Sequence, residues 1–234
     1  MLPVAILAGG LATRLRPLTE AMPKAMVEVN GEPFAFHQLR LLRRHGIDQV
    51  VFCVGYRGEQ IVDAVGDGAS FGLQVQYSFD GPALLGTAGA LKVAAPLLGA
   101  DFFVLYGDSF LDCDYAAVER AYRQAGKPAL MAVFCNDGQW DTSNVEFADG
   151  RIIAYSKVQR TARMRHIDYG LGILGAAVLD EVPADRPTDL ASVYERLAAA
   201  GNLAAFEVRQ RFYEVGSFAG LAQFEDYLKK VERR

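Results

Sequence analysis

The sequence predicts an α/β fold, a largely parallel sheet covered by helices on both faces that passes into a mixed, antiparallel region in its second half. Three observations predict it. Short apolar runs alternate with helical patterns up to about residue 140, and beyond that point alternating strands surround an Asp149-Gly150 turn. Over 234 residues, 51% hydrophobic against 22% charged side chains is enough to build a large apolar interior.

The first run, VAILA (Val4–Ala8), ends at paired glycines. Gln49–Gly55, Leu73–Phe79, Phe102–Gly107 and Ala129–Cys135 are further apolar runs bounded by turn residues, the pattern of buried strands. Between the first two lies PFAFHQLRLLRRHG, which opens on Pro33, sets Phe34, Leu39 and Leu42 on one face and closes at Gly46. Those are helix start and stop signals. TAGALKVAAPLL and DYAAVERAYRQAG behave in the same way. TSNVEFADGRIIAYSK then reads as two strands around a hairpin dipeptide, so the sheet becomes antiparallel there. YGLGILGAAVL supplies another apolar run, Asp189 to Ala200 a helix ending in Gly201, and LAAFEV and RFYEVG two last strands. The closing segment, SFAGLAQFEDYLKKVERR, is an amphipathic helix whose Lys and Arg gather at the C-terminal end, where they favour the macrodipole. No linker rich in Pro, Gly or Ser divides the chain. Residues 1–234 therefore read as one domain, with a core over about 1–140 and a second part over about 141–234.

Charge and cysteine usage narrow the function classes. A net charge of −4 lacks the basic stripe of a non-specific nucleic-acid binder, so phosphate chemistry has to be handled locally. No apolar stretch is long enough to span a membrane, and the opening MLPVAILAGG has no cationic flank of a signal peptide. A cytoplasmic protein is expected. Cys53, Cys113 and Cys135 are far apart and read as buried free thiols, with no Cys-x-x-Cys pattern. His37, His45 and His166 are equally scattered, so a metal acting here would be held by oxygen.

The chemistry concentrates after the first strand. In an open parallel sheet, ligands bind beyond the carboxyl ends of the strands, where Gly9 and Gly10 leave room for close backbone approach. Taken alone, such a pair serves a tight turn as readily. G-x-G-x-x-G and G-x-x-x-x-G-K-[ST] are both absent, which removes a dinucleotide fingerprint and a Walker loop. Arg14, Arg16 and Lys24 follow in a segment broken by Pro17 and Pro23, too interrupted for a regular helix. Folded over the glycines, it would bring a forked guanidinium and a point-charge ammonium to one polyphosphate.

The stretch LAGGLATRLRPLTEAMPKAM resembles the signature G-G-x-G-T-R-L-x-P-L-T-x-x-x-P-K of the sugar-1-phosphate nucleotidyltransferases, with Ala12 where that family more often has glycine. The resemblance implies a Rossmann-like core, an enzyme that joins a nucleoside triphosphate to a sugar 1-phosphate with release of pyrophosphate, and Mg²⁺ as cofactor. It implies Lys24 at the α-phosphoryl group and Arg14 over the departing pyrophosphate. Leu7, Ala8, Gly9, Gly10, Thr13 and Gly107 would surround the nucleotide. Gly86, Thr87 and Ala88, in a segment similar to the family's G-T-[AG]-G turn, would lie under base and ribose, although a threonine at a helix start also serves as a plain N-cap.

Asp108 ends an apolar strand beside Gly107, a place suited to a turn former or, by the resemblance, to a metal ligand. The family's second aspartate corresponds to Glu214 in RFYEVGSFAGL, whose extra methylene lengthens the arm. On the acceptor side the resemblance implies Lys157 for the sugar phosphate. Tyr155 stands where relatives carry an acidic residue, so sugar contacts have to come from elsewhere. Asn144, Asp168 and Gly170 are the candidates; Asn144 can equally start a strand and Asp168 satisfy a turn. The wording LGTAGAL is most similar to guanylyltransferases. GTP with a manno-configured heptose 1-phosphate is the expected pair, ahead of mannose 1-phosphate and of UTP with N-acetylmuramate 1-phosphate. The expectation from another class is a non-catalytic subunit that senses nucleotide sugars. Homo-oligomers are compatible with the two terminal helices; nucleic acid and membrane partners are not expected.

Overall fold

In the computed structural model, which describes residues 1–11, 13–183 and 186–231 and only the backbone of Thr13, strands and helices alternate as the apolar runs require. β1 (Val4–Leu7), α1 (Leu18–Ala21), β2 (Glu28–Val29), β3 (Glu32–Pro33), α2 (Phe34–Arg44), β4 (Gln49–Val54), α3 (Gly58–Val65) and β5 (Gln74–Phe79) come first. α4 (Gly86–Leu98), β6 (Asp101–Tyr106), β7 (Ser109–Phe110), α5 (Tyr115–Ala125) and β8 (Ala129–Cys135) follow. β9 (Val145–Ala148), β10 (Arg151–Tyr155), β11 (His166–Gly175), α6 (Leu190–Ala199), β12 (Leu203–Val208), β13 (Tyr213–Glu214) and α7 (Phe218–Val231) complete the order.

One sheet carries the strands in the order β10-β9-β11-β6-β1-β4-β5, with β8 paired to β11 and β12 to β8. β6, β1, β4 and β5 run parallel. Their residues alternate between two apolar layers, as strand geometry demands. Val4 and Ile6 face α2 and α5 with Leu39, Leu42 and Tyr115, whereas Ala5 faces α4 and α6 with Leu91, Ala94 and Tyr194. A third cluster, built on Phe34, Phe110, Val215 and Phe224, docks α7 against α2. Asp114 and Asp189 cap α5 and α6, accepting hydrogen bonds from the N–H groups of Ala117 and Ala191.

The chain leaves β1 for β4 and β5 on one side and returns to β6 on the other. This reversal opens a crevice beyond the carboxyl ends of β1 and β6. Gly9 and Gly10 follow the first of these strands and Gly107 and Asp108 the second.

Several elements differ from the sequence expectation. α3 has no strong signal in the sequence because it has only eight residues and three buried positions, Gly58, Ile61 and Val65. β11 starts three residues before the expected run and ends in a 3₁₀ turn, Ala176–Glu181, because it pairs antiparallel with both β6 and β8. The antiparallel part is thus built into the middle of the sheet. The asparagine-free hairpin at Asp149-Gly150 forms as expected, both residues having positive φ. The cation segment folds as 3₁₀ turns at Thr13–Leu15 and Lys24–Met26 around the single turn α1. Cys53 and Cys113 are buried, but Cys135 is exposed because it closes β8 at the edge of the core. No helix among the described residues is long and apolar enough to cross a membrane.

Candidate active site

Two adjoining depressions occupy the crevice, and they meet at Asp108 and Tyr106. The first is lined by Leu7, Ala8, Gly9, Gly10, Lys24, Gly86, Thr87 and Gly107, together with Asp80. The second is lined by Arg14, Asn144, Lys157, Asp168, Gly170 and Glu214, together with Asp141. The glycines of the first are held by close packing. A Cβ on Gly107 would stand 2.8 Å from the carbonyl oxygen of Leu7, and one on Gly9 would stand 3.1 Å from the backbone nitrogen of Gly55.

Lys24 opens a 3₁₀ turn after the extended Pro23, and its neighbour Ala25 is buried, so the side chain is aimed inward from a fixed base. Its Nζ lies 2.7 Å from Oδ2 of Asp108, both side chains being about one-fifth exposed (21% and 24%). Asp108 sits in the turn between β6 and β7. The short ladder of β7 and β13 then sets Glu214 opposite Ser109. Gly216 makes that approach possible: a Cβ there would stand 2.6 Å from Oε2 of Glu214, 3.1 Å from Oδ2 of Asp108 and 3.2 Å from Nη2 of Arg14. Two carboxylates and a guanidinium therefore converge on the space left by one missing methyl. Oε1 of Glu214 accepts a hydrogen bond from Ser217 at 2.6 Å, and its Oε2 accepts one from the Gly216 N–H.

The loop before α4 is tied to the start of α6. Gly86 has a φ of +73°, and its hydrogen faces Thr188, whose carbonyl accepts from the Ala88 N–H at 2.9 Å. Oγ1 of Thr87 accepts from the Leu190 N–H at 2.7 Å and donates to Asp189 at 3.3 Å. The same Asp189 carboxylate is 3.6 Å from Nζ of Lys157, which also lies 5.8 Å from the centre of the Tyr106 ring. Gly86→Ala would place a Cβ 2.5 Å from the Thr188 oxygen at a left-handed φ. We expect it to destabilise the fold by about 1–3 kcal/mol, read by calorimetry.

Asn144 braces the second depression, its Oδ1 accepting from the Asp168 N–H at 2.9 Å. Oδ1 of Asp168 accepts from the Gly170 N–H at 3.0 Å, a short loop made possible by a φ of +87° at Gly170. Burial pushes the Asp168 carboxyl above the usual aspartate range, opposed by that hydrogen bond and by the Lys157 ammonium. The hydroxyl of Tyr106 is buried without a hydrogen-bond partner, and burial raises its pKa well above the ordinary tyrosine value. In the first depression, burial likewise raises Asp80, whose Oδ2 accepts from the Leu85 N–H at 3.2 Å.

The crevice thus gathers most of the residues singled out in the sequence. Arg14 is exposed and lines the second depression, where it faces Asp108 and Glu214. Ala88 is buried in α4 with its N–H spent on Thr188. The side chain of Thr13 lies outside the described part. Asp80, Asp141 and Asp189 were not anticipated. Asp189 was legible only as a helix start, and nothing in the spacing of the other two marks them.

The architecture is that of a doubly wound α/β protein, and its switch-point crevice combines a glycine turn, a lysine and strand-end carboxylates. The nucleotidyl transferase family model matches residues 4–143, and the chain belongs to that family. It is 30% identical over 213 residues to a UTP--glucose-1-phosphate uridylyltransferase of Synechocystis, covering 84% of this chain and 55% of that protein. It is 29% identical over 218 residues to the mannose-1-phosphate guanylyltransferase catalytic subunit beta of Xenopus tropicalis, covering 90% and 60%. The chain therefore spans little more than half the length of these relatives. The crystal structure of HddC from Yersinia pseudotuberculosis, complexed with GMP-PN, superposes with a TM-score of 0.80 at 23% identity, covering 97% of this chain and all of that one. The Rossmann-like, largely parallel core is the shared fold.

Proposed function

We propose that this chain transfers a nucleoside monophosphate from a nucleoside triphosphate, GTP in our reading, to a sugar 1-phosphate, a manno-configured heptose 1-phosphate in our reading, with release of pyrophosphate. The observation that carries the proposal is the shared wall at Asp108, with Lys24 on the glycine-lined side and Arg14, Glu214 and Lys157 on the other. Two anions have to approach each other for this reaction, so cations between two adjoining pockets are what it needs.

A non-bridging oxygen of the sugar phosphate attacks the α-phosphorus while the bond to the bridging oxygen breaks, and pyrophosphate leaves with the bonding electron pair. The attacking oxygen is already ionised near neutral pH, so no general base is required. Lys24 neutralises charge on the transferring group, Arg14 that on the pyrophosphate, and Lys157 holds the sugar phosphate. Nothing in this assignment requires a nearby histidine.

Among the described residues no cluster of three or more His, Cys, Asp or Glu side chains could cage a metal. Mg²⁺ does not need one, since it binds through one or two carboxylates and completes its shell with water and substrate phosphate. Asp108 and Glu214, converging on the Gly216 gap with hard oxygen donors, fit that requirement. Bound there, Mg²⁺ would supply charge neutralisation for the phosphates.

Asp80 favours guanine. A carboxylate only accepts hydrogen bonds, and guanine presents two adjacent donors on its pairing edge where uracil presents one. Asp80→Asn is expected to lower kcat/KM for GTP by about 10- to 100-fold with a smaller loss for UTP. Because burial raises the Asp80 carboxyl, acidification removes its acceptor character at a higher pH than for an ordinary aspartate. The GTP preference of the unsubstituted chain should therefore fall on the acid side and that of Asp80→Asn should not, as competition between the two triphosphates would show. For the acceptor, Asn144, Asp141, Asp168, the Gly170 turn and the buried Tyr106 hydroxyl give a polar floor suited to a polyhydroxylated ring.

The test is to incubate the chain with Mg²⁺, each of the four common nucleoside triphosphates and a panel of sugar 1-phosphates, and to identify the product by mass spectrometry. A GDP-heptose is expected. GDP-mannose or UDP-N-acetylmuramate as the dominant product would correct the substrate pair and leave the reaction standing.

A further inference from the structure

Gln38 is the polar exception on the inward face of α2. That face carries Phe34, Ala35, Leu39, Leu41 and Leu42, and Gln38 is buried among them with 1% of its surface exposed. Its Nε2 donates to the carbonyl oxygens of Tyr106, at 3.1 Å, and Ser109, at 2.7 Å. These two residues bracket Gly107 and Asp108. Chemistry fixes the orientation of the amide, because turning it over would set an acceptor against two acceptors. The arrangement leaves Oε1 of Gln38 buried with no partner, a state that costs about 1–3 kcal/mol. A methionine would fill similar space without that cost, but it would leave the Tyr106 and Ser109 carbonyls without the amide. Gln38 lines neither depression, so a direct role with substrate does not account for it.

What the amide does achieve is geometric. From the α2 side it closes the turn between β6 and β7, while the Val215 N–H bonds to the Asp108 carbonyl at 2.8 Å from the β13 side. The Gly107 N–H is meanwhile held by the Leu7 carbonyl at 2.9 Å. Three elements thus fix one four-residue turn that presents the Asp108 carboxylate to both depressions.

We propose that Gln38 is a positioning residue: it locks the Tyr106–Ser109 turn and so holds the Asp108 carboxylate in place for a divalent cation. The inference rests on the reading of Asp108 as a cation ligand. It concerns how that ligand is aimed, by a side chain that itself meets neither cation nor substrate.

The test titrates the full chain with Mn²⁺, followed by electron paramagnetic resonance without nucleotide, in the unsubstituted protein and in Gln38→Met, Gln38→Glu and Asp108→Asn, with thermal unfolding of each. Gln38→Met should bind Mn²⁺ about tenfold or more weakly, the usual range for losing an outer-shell partner. Its Tm reads the balance of one orphaned oxygen removed against the Tyr106 and Ser109 carbonyls left without the amide, so a modest fall is expected and the Mn²⁺ affinity is the deciding readout. Its kcat should drop with little change in KM for the triphosphate. Gln38→Glu keeps the shape and, when protonated, donates one of the two hydrogen bonds. Its Mn²⁺ affinity should lie between the other two, and its deficit against the unsubstituted chain should narrow as the pH is lowered. If Gln38→Met fails to fold, that narrowing decides alone. Unchanged Mn²⁺ affinity in Gln38→Met, or a deficit in Gln38→Glu that ignores pH, overturns the role of Gln38. Mn²⁺ binding that is absent from the unsubstituted chain, or identical in Asp108→Asn, overturns the cation reading of Asp108 and the inference with it.

Discussion

Lys24→Ala is expected to lower kcat by about 10²- to 10³-fold, the usual loss when one aimed cationic or hydrogen-bond donor is removed from a transition state. KM for the triphosphate should change far less, because the glycine turn and the loop before α4 remain to hold the nucleotide. The size of the effect follows from placement. Lys24 is set by Pro23 and the buried Ala25, and its ammonium already stands 2.7 Å from Asp108 at the boundary between the two pockets. Lys24→Arg should not restore the rate, since a planar fork on that fixed base cannot put its charge at the same point. Steady-state kinetics of pyrophosphate release measure both variants. An alanine variant with near-normal kcat would mean that Lys24 is a surface charge paired with an acid and nothing more.

Asp108→Asn should cost about 10³-fold in kcat/KM, a loss comparable to removing a charge-stabilising group from phosphoryl transfer. The fold should survive. Asp108 is anchored through its backbone, by the Val215 N–H, and its side chain is partly exposed. The variant should also need more Mg²⁺ for half-maximal rate, which a Mg²⁺ titration of the residual activity would show. Glu214→Gln is a milder companion: its carboxylate is held by Ser217 and Gly216, and the amide keeps one acceptor for them. If Asp108→Asn lost activity and cooperative unfolding together, the carboxylate would be structural.

The parts of this arrangement that were legible in the sequence share a physical cause. Strand ends in a parallel sheet have to deliver their following residues to one edge, so Gly9, Gly10, Gly107 and Asp108 could be placed together from apolar runs alone. Lys24 and Arg14 were legible because a proline-broken cationic segment follows directly, and here the family resemblance supplied what spacing could not. The acceptor side was less legible. β11 pairs with strands on both sides of it, and that register decides which of Asn144, Asp168 and Gly170 share a pocket. Asp80 and Asp141 stand in loops with no periodic neighbours, and only the folded chain brings them to the crevice. The tie from Asp189 to Thr87 and Lys157 joins residues more than thirty positions apart through one helix cap, a link that no local pattern encodes. Gln38 was hidden for a different reason: on an otherwise apolar helix face, a single amide reads as an ordinary interruption.

The central claim is that Asp108 joins a nucleotide pocket to a sugar-phosphate pocket so that two anions can react. Its most direct test is pyrophosphate release from GTP, measured with and without a sugar 1-phosphate and with and without Mg²⁺. Release that requires all three, matched mole for mole by a nucleotide sugar, is the predicted result. Tight binding of nucleotide or nucleotide sugar with no release across the whole panel would contradict it and make the crevice a sensor.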